Sequence, residues 1–418
     1  AGRTTEAEFR MQLRHFWWQW GSIDNHYGQP VYFGGTKADG TTEYNEVSKM
    51  LLEVHDELNL PTPKVHLKMG KSTPDWVWTK TLDMARRQRS VTFCGEEPHW
   101  RVIRSMGYTE EQAREFMVWG CYEWAIRDSA NDTFGAAVNV VKPVETLMAD
   151  AAAGRFAADG FDAFKRLYLQ RTLATIAEAR RFAEEDEKEL GEINPSLLFS
   201  LSARLSVETG RDAYCGGMAN GNNTGIWLIG IGSAVDSLMA VRELVFERKE
   251  VALAELGRIL ADDWKGHEVL RLRMQRAKRK WGNNDPDANA LCRELAKAFA
   301  GEINGRPNSR GGRFKAHGHS ARWHYSYGSG TGATPDGRRR GEELSKNISP
   351  TMGADTEGLT ALIGSAASLD ARDLPGDMPL DVALLPGTAS GEKGLALMRT
   401  LIETYFGNGG LVIQFNVH

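Results

Sequence analysis

Apolar residues recur at helical spacing in "FRMQLRHFWWQW" (9–20), predicting a helix, and the following "HYGQPVYFGGTKADGTTEYNE" reads as turn-rich loop. "TEYNEVSKMLLEVHDELNL" is amphipathic and stops at "PTP" (61–63), which predicts a second helix. "KVHLKM" alternates like a strand. "TPDWVWTKTLDMARRQ" predicts a helix with Thr73 as N-cap and Pro74 at its first position. "SVTFCG" reads as a short strand ending at Gly95, and "EEPHWRVIRSMG" as a helix closed by Gly107. "TEEQAREFMVWG" predicts a further helix, with Thr109 and Gln112 in capping-box positions, so Cys121 is expected just past a helix end.

From about 136 to 300 the pattern is strongly helical, and "FDAFKRLYLQRTLATIAEARRFAEEDEKEL" is its longest run. "YCGGMANGNNTGIWLIGIGSAVDSLMAVRELVF" reads as a glycine-rich loop before an apolar helix. That loop lacks the lysine of a phosphate-cradling GxxxxGK[ST] motif and reads as structural. The last third alternates short strands, Gly/Pro turns and helices. Alternation along the whole chain gives an α/β class, without an internal repeat.

Composition changes this picture little. The 418 residues are 41% hydrophobic and 25% charged, the balance of a globular protein, and suffice for one large domain or two ordinary ones. A net charge of −4 points to neither a nucleic-acid nor a membrane-surface partner. No apolar run approaches the roughly 20 residues that span a bilayer, and the polar start is no signal peptide. Cys94, Cys121, Cys215 and Cys292 show no CxxC or zinc-type spacing and read as free thiols of a reducing, cytoplasmic compartment. The start in mid-domain sequence and the finish on the apolar "LVIQFNVH" lead us to expect that native sequence is missing from both ends or supplied by another chain.

Hydrolase signatures such as GxSxG and HExxH are absent from the sequence. "AHGHSARWH" brings His317, His319 and His324 close together, but HxH without carboxylate or cysteine ligands in reach reads as strand packing or substrate polarity rather than a metal site. "MVWGCYEW" is different in kind, setting Cys121 and Glu123 two residues apart among aromatic side chains.

The stretch "GYTEEQAREFMVWGCYEW" resembles the cysteine loop of the glycyl radical enzymes, the pyruvate formate-lyase superfamily, in which G-x-T-x-E-x-A-R-x-(F/Y) runs into G-C-x-E. "TFCGEEPHWRVIRSMG" is similar to the family's S-x-x-N-D stretch on the substrate side. "GSGTGATPDGRRRGEELSKNISPTMGADTEGLTALIGSAA" and "GEKGLALMRTLIETYFGNGGLVIQFNV" resemble two further family blocks, in the family's order. The resemblance runs from about residue 30 to 418. It implies a ten-stranded α/β barrel with surrounding helices, incomplete at both ends, in which residues 1–418 form the central and C-terminal part of one barrel domain. It also implies anaerobic lyase chemistry on a small-molecule substrate. Cys121 would form a thiyl radical that abstracts a substrate hydrogen, and Glu123 would act as general base. Thr92, Glu96, Trp124, Asp132, His319 and His324 are the implied substrate contacts. The implied cofactor is a glycyl radical installed by a radical-SAM activating enzyme, with no bound metal.

Departures from the pattern narrow the branch. Tyr122 follows Cys121 where pyruvate formate-lyase has a second cysteine, which argues against acyl transfer to coenzyme A. G-C-V-E-P is G-C-Y-E-W here, and S-x-x-N-D reads Thr92, Gly95 and Glu96. The acid that several dehydratases place about a dozen residues on aligns near Phe134, with Asp132 the nearest carboxylate. No R-V-x-G-Y glycyl-loop segment occurs in the sequence, so the glycyl radical domain is expected outside these residues. A homodimer and a separate glycyl-loop chain are both open as partners. Elimination of water or an amine is the leading reaction. An arylacetate-type decarboxylase and a catalytically silent scaffold or regulatory homologue are the alternatives.

Overall fold

The computed structural model describes residues 4–23, 30–129 and 133–417. Its strands, in chain order, are β1 (Pro30–Gly34), β2 (Lys64–Met69), β3 (Val91–Gly95), β4 (Met117–Trp119), β5 (Glu123–Ala125), β6 (Thr133–Asn139), β7 (Thr224–Ile229), β8 (Phe314–His317), β9 (Pro379–Leu384) and β10 (Val412–Val417). Helices separate most of them, which is the α/β alternation read from the sequence. The chain divides into two compact units, Ala1–Arg127 with Pro379–His418, and Asp128–Met378.

In the first unit a five-stranded sheet has the order β1-β2-β3-β10-β9. β1, β2 and β3 run parallel, β10 joins β3 antiparallel, and β9 lies parallel to β10. Every residue of β3 is buried, as expected for an inner strand covered on both faces. β2 alternates Val65, Leu67 and Met69 with Lys64, His66 and Lys68, so one of its faces is lined with nitrogen-bearing side chains. Those three are the sequence feature that matters most for the site.

The second unit contains the parallel sheet β6-β7-β8. The helix Phe161–Ile193 lays Phe164, Tyr168, Thr172, Ile176 and Ala183 along one buried stripe. β7 departs from the sequence reading, which ran "TGIWLI" into the following helix. All six of its residues are buried, so the run carries no polar alternation to mark it as a strand. Gly230 ends the strand, and the helix Ile231–Val241 follows, buried along its whole length.

Residues 117–119 also depart from the expected helix. The helix with the Thr109–Gln112 capping box covers only Glu110–Arg114. β4 then pairs antiparallel with β5, Met117 opposite Ala125, Val118 opposite Trp124 and Trp119 opposite Glu123. Cross-strand pairing of valine and tryptophan outweighs the local helical pattern here. Cys121 therefore sits at the tip of a hairpin rather than past a helix end.

Candidate active site at the Cys121 hairpin

The turn of this hairpin is built around Glu123. Its Oε2 accepts from the backbone N–H of Cys121 at 2.7 Å and of Tyr122 at 2.9 Å, folding the carboxylate back over the tip. Gly120 permits the turn, with φ at +60°, and a Cβ there would stand 2.7 Å from Glu123 Oε2. Pairing opposite Trp119 sends Glu123 to one face of the hairpin, while Val118 and Trp124 are buried on the other. Cys121 is partly exposed, whereas Cys94 and Cys292 are buried. The thiol and the carboxylate two residues on are thus presented together.

The base of the hairpin is fastened to the sheet by Lys68, whose Nζ donates to Phe116 O at 2.9 Å and lies 4.6 Å from the Phe116 ring centre. Burial pushes the Lys68 ammonium below its ordinary pKa, and Glu96 opposes that shift. Both Glu96 oxygens are engaged by Thr36, Oε1 by its N–H and Oε2 by its hydroxyl, each at 2.7 Å. A Cβ on Gly70 would come within 2.0 Å of Glu96 Oε2, so the carboxylate needs glycine there. Glu96 orders the Thr36 loop.

At the tip, Lys64 Nζ lies 3.8 Å from Cys121 Sγ. The Tyr122 hydroxyl donates to Gln414 Oε1 at 2.9 Å, and the Gln414 amide in turn donates to Asp381 on β9. A cavity of about 410 Å³ opens beside these groups, lined among others by Lys64, Thr92, Tyr122, Gln414 and Asn416. That volume suits a small polyfunctional molecule. Lys64, Gln414 and Asp381 were not singled out in the sequence. Their signal was available: a lysine at the start of an alternating strand, and polar residues inside the apolar strands "VIQFNV" and "PLDVAL".

The remaining implied contacts distribute as follows. Thr92 is in the cavity wall. Trp124 is fully buried, edge-on to Tyr108 with ring centres 5.9 Å apart, on the hairpin face opposite Glu123. Asp132 lies outside the described residues. His319 and His324 belong to the second unit. There His317 and His319 each set Nδ1 2.9 Å from Asp377 Oδ2, all three side chains being buried. The sequence reading of HxH without a carboxylate in reach is corrected here, since Asp377 supplies one from 58 residues beyond His319. The donor atoms are close enough together to hold a metal ion. Yet His317 Nδ1 meets the carboxylate oxygen at the separation of an N–H···O⁻ bond, and His319 Nδ1 lies between that oxygen and the Trp227 indole N–H, which donates to it at 3.0 Å, so the cluster is a closed hydrogen-bonded network around a buried carboxylate. Burial alone would raise the Asp377 pKa; the two histidines outweigh it and hold the group well below the usual range. His324 sets Nδ1 3.2 Å from Ser320 Oγ, with its ring centre 4.1 Å from that of Tyr325.

Two further histidines make the first unit sensitive to acid. Burial, and then Lys64, push His66 down to about 3, and burial pushes His55 down to about 4. His55 uses its neutral form, taking the Trp17 indole N–H on Nδ1 at 3.0 Å. A folded pKa below the unfolded value of about 6.5 means that the unfolded chain binds the extra proton. Stability is therefore complete above pH 6.5 and is lost as the pH falls towards the folded values. We expect each histidine to cost about 2–3 kcal/mol by pH 4.5. Urea midpoints at pH 7, 5.5 and 4.5 measure this, and His66→Gln should flatten the decline; an unchanged slope in that variant would remove His66 from the account.

The whole sequence was compared with known proteins. The family profile described as Pyruvate formate lyase-like matches residues 7–328, and that described as Glycine radical matches residues 344–418, so residues of that domain are present in the chain, against the expectation that it lies wholly outside them, although no R-V-x-G-Y segment occurs among them. The trans-4-hydroxy-L-proline dehydratase of Clostridioides difficile is 29% identical over 401 residues, covering 92% of this chain and 50% of the relative. Among solved structures, the B12-independent glycerol dehydratase of Clostridium butyricum superposes with a TM-score of 0.91 at 25% identity, over 100% of this chain and 56% of the other. A glycyl radical enzyme from Archaeoglobus fulgidus shares the fold, with a TM-score of 0.87 at 24% identity over the same shares. The chain spans about half the length of the curated relatives it matches. Its mixed α/β fold, with a sheet core and surrounding helices, matches the glycyl radical enzyme barrel architecture, and its profile matches cover the cysteine loop, the later part of the first C-terminal block and the whole of the second. The chain belongs to the pyruvate formate lyase-like family.

Proposed function

We propose that this chain carries the thiol and base half of an anaerobic radical lyase that eliminates water or an amine from a small substrate. The observation that carries the reading is the hairpin tip, where Glu123 Oε2 lies 2.7 Å from the Cys121 backbone nitrogen. The carboxylate is thereby folded back over the turn that carries the thiol. A glycyl radical, when present, supplies the acceptor that turns the Cys121 thiol into a thiyl. The partly exposed position of Cys121 at a turn fits access by a second backbone. Cys121 then takes a hydrogen atom from a substrate C–H, and Glu123 takes the proton of the adjacent hydroxyl or ammonium. The neighbouring group leaves with its bonding electrons, and the product radical recovers its hydrogen atom from Cys121. Tyr122, anchored through Gln414, closes one side of the cavity, and Thr92 offers a hydroxyl to the substrate.

The relatives named above as dehydratases favour elimination. Aromatic Tyr122 and Trp124 beside Cys121 would give an arylacetate decarboxylase slight support, and burial of Trp124 on the opposite hairpin face weakens it. The free thiols suit a reducing, cytoplasmic setting, and among the described residues no helix is long and apolar enough to cross a membrane.

The glycyl radical itself requires a glycyl loop and a radical-SAM activase. As no R-V-x-G-Y segment occurs in the 418 residues, we expect no glycyl doublet by electron paramagnetic resonance when they are treated with an activase alone. We expect a doublet, and product from a 1,2-diol or hydroxy acid, once a polypeptide bearing such a loop is supplied. A doublet on the 418 residues alone would put the radical glycine elsewhere. Failure to form product in the complete, radical-bearing protein with any hydroxy- or amino-substituted substrate would sink the lyase reading.

A further inference from the structure

We infer that the substrate carries an oxyanionic group, a carboxylate or a sulfonate, and that Lys64 is the residue that binds it beside Cys121. This rests on Cys121 being the reacting thiol.

Lys64 opens β2, whose alternation places it on the same strand face as His66 and Lys68. The three nitrogen-bearing side chains have different circumstances. Lys68 is committed to Phe116 O and the Phe116 ring, with Glu96 as its main opposing charge. His66 is buried and held neutral. Lys64 alone of the three is partly exposed, lines the cavity, and reaches the reactive tip, 3.8 Å from Cys121 Sγ. No carboxylate among the described residues pairs with it within ion-pair distance.

The rest of the first unit makes that isolation informative. The other basic residue in the cavity wall, Arg89, is bound to Asp56 at 3.1 Å. Asp56 also takes Lys80 and Arg87, so this corner of the surface pairs its cations locally. Lys64 is the cation left to the cavity, and the wall adds neutral donors from Thr92, Gln88 and Asn416 and no carboxylate at all. A wall with one cation not paired to a carboxylate, several neutral hydrogen-bond donors and no acid selects an anion over a neutral polyol or a cation. The Nζ–Sγ separation further requires that the bound anion lie within a few bonds of the carbon that Cys121 attacks. The substrate is thus a short molecule whose reacting carbon is close to its charge.

Charge-selective alkylation of Cys121 tests this on the protein as it stands. Iodoacetate and iodoacetamide are nearly isosteric and differ in charge, and peptide mass spectrometry reads each cysteine separately. One unit charge about 4 Å away should favour iodoacetate at Cys121 by about 5-fold relative to Lys64→Gln. Lys64→Arg should restore most of that preference, and about 1 M salt should erase it in the wild type without any substitution. At constant ionic strength, lactate or isethionate should protect Cys121 from iodoacetamide, whereas 1,2-propanediol should not. Protection by lactate alone assigns a carboxylate, and by isethionate alone a sulfonate. An iodoacetate preference that is absent, indifferent to salt or unchanged in Lys64→Gln would overturn the proposal. So would equal protection by 1,2-propanediol, or no protection by either anion. Alkylation needs no glycyl radical, so failure here and failure of the radical chemistry are read independently.

Discussion

Replacing Cys121 by alanine or by serine is expected to reduce turnover to background while leaving the fold intact. Serine nearly preserves the volume of the thiol, so a role in packing would survive it. The proposed role would not, because a hydroxyl O–H bond is too strong to give up its hydrogen to a glycyl radical and then regain it from substrate. Structural damage is not expected to confuse the result. The contacts that shape the hairpin tip use the backbone N–H groups of Cys121 and Tyr122 against Glu123, and neither depends on the cysteine side chain. Cys121 is partly exposed, and surface substitutions of that kind usually shift stability by within about 0.5 kcal/mol. The measurement is product formation by the complete protein under strict anaerobiosis, with the glycyl doublet quantified in the same samples. Both variants should retain the doublet, since the radical store is separate from the thiol. Appreciable turnover in Cys121→Ser with a normal doublet would end the thiyl mechanism for this chain.

The sequence exposed the chemistry of this site more readily than its shape. Cys121 and Glu123 are two residues apart, so their association is local and survives any error in the element that bears them. The element itself was misread, because "EFMVW" continues the apolar spacing of the helix before it. Only pairing with residues 123–125 makes it a strand, and that pairing depends on a turn at Gly120 whose stability comes from the Glu123 carboxylate. The same limit applies to β7, where an unbroken apolar run fits a buried strand and a buried helix equally well. Strands with alternation, such as "KVHLKM", were plain, yet the use made of Lys64 was not, because its neighbour Cys121 is 57 residues away. Asp377 shows the long-range limit most clearly. Nothing in "AHGHSARWH" reveals that a carboxylate 58 residues on from His319 will be buried against both imidazoles. Trp124 fails for a simpler reason: a residue next to a reactive one in a strand points to the opposite face.

The same alternation makes Glu123 the more discriminating target. Glu123→Gln should lower turnover by roughly 10²–10⁴-fold, the usual worth of a positioned general base. Glutamine can keep its carbonyl oxygen where Oε2 accepts from the Cys121 and Tyr122 N–H groups, so the hairpin tip should hold its geometry. Loss of the base is then the main change. Glu123→Ala removes that acceptor as well, leaving two backbone donors at the tip without it, and should lower thermal stability where glutamine does not. Comparing the two variants separates the chemical role from the structural one. Hydrogen exchange between substrate and Cys121 separates the steps. Abstraction needs only the thiyl, so deuterium from a labelled substrate should still reach solvent through Cys121 in Glu123→Gln while product formation is slow. If exchange and product formation fall together, Glu123 acts before or at abstraction, by placing Cys121. If Glu123→Gln turns over at the wild-type rate, its carboxylate is a turn-forming group alone, and another group must take the substrate proton.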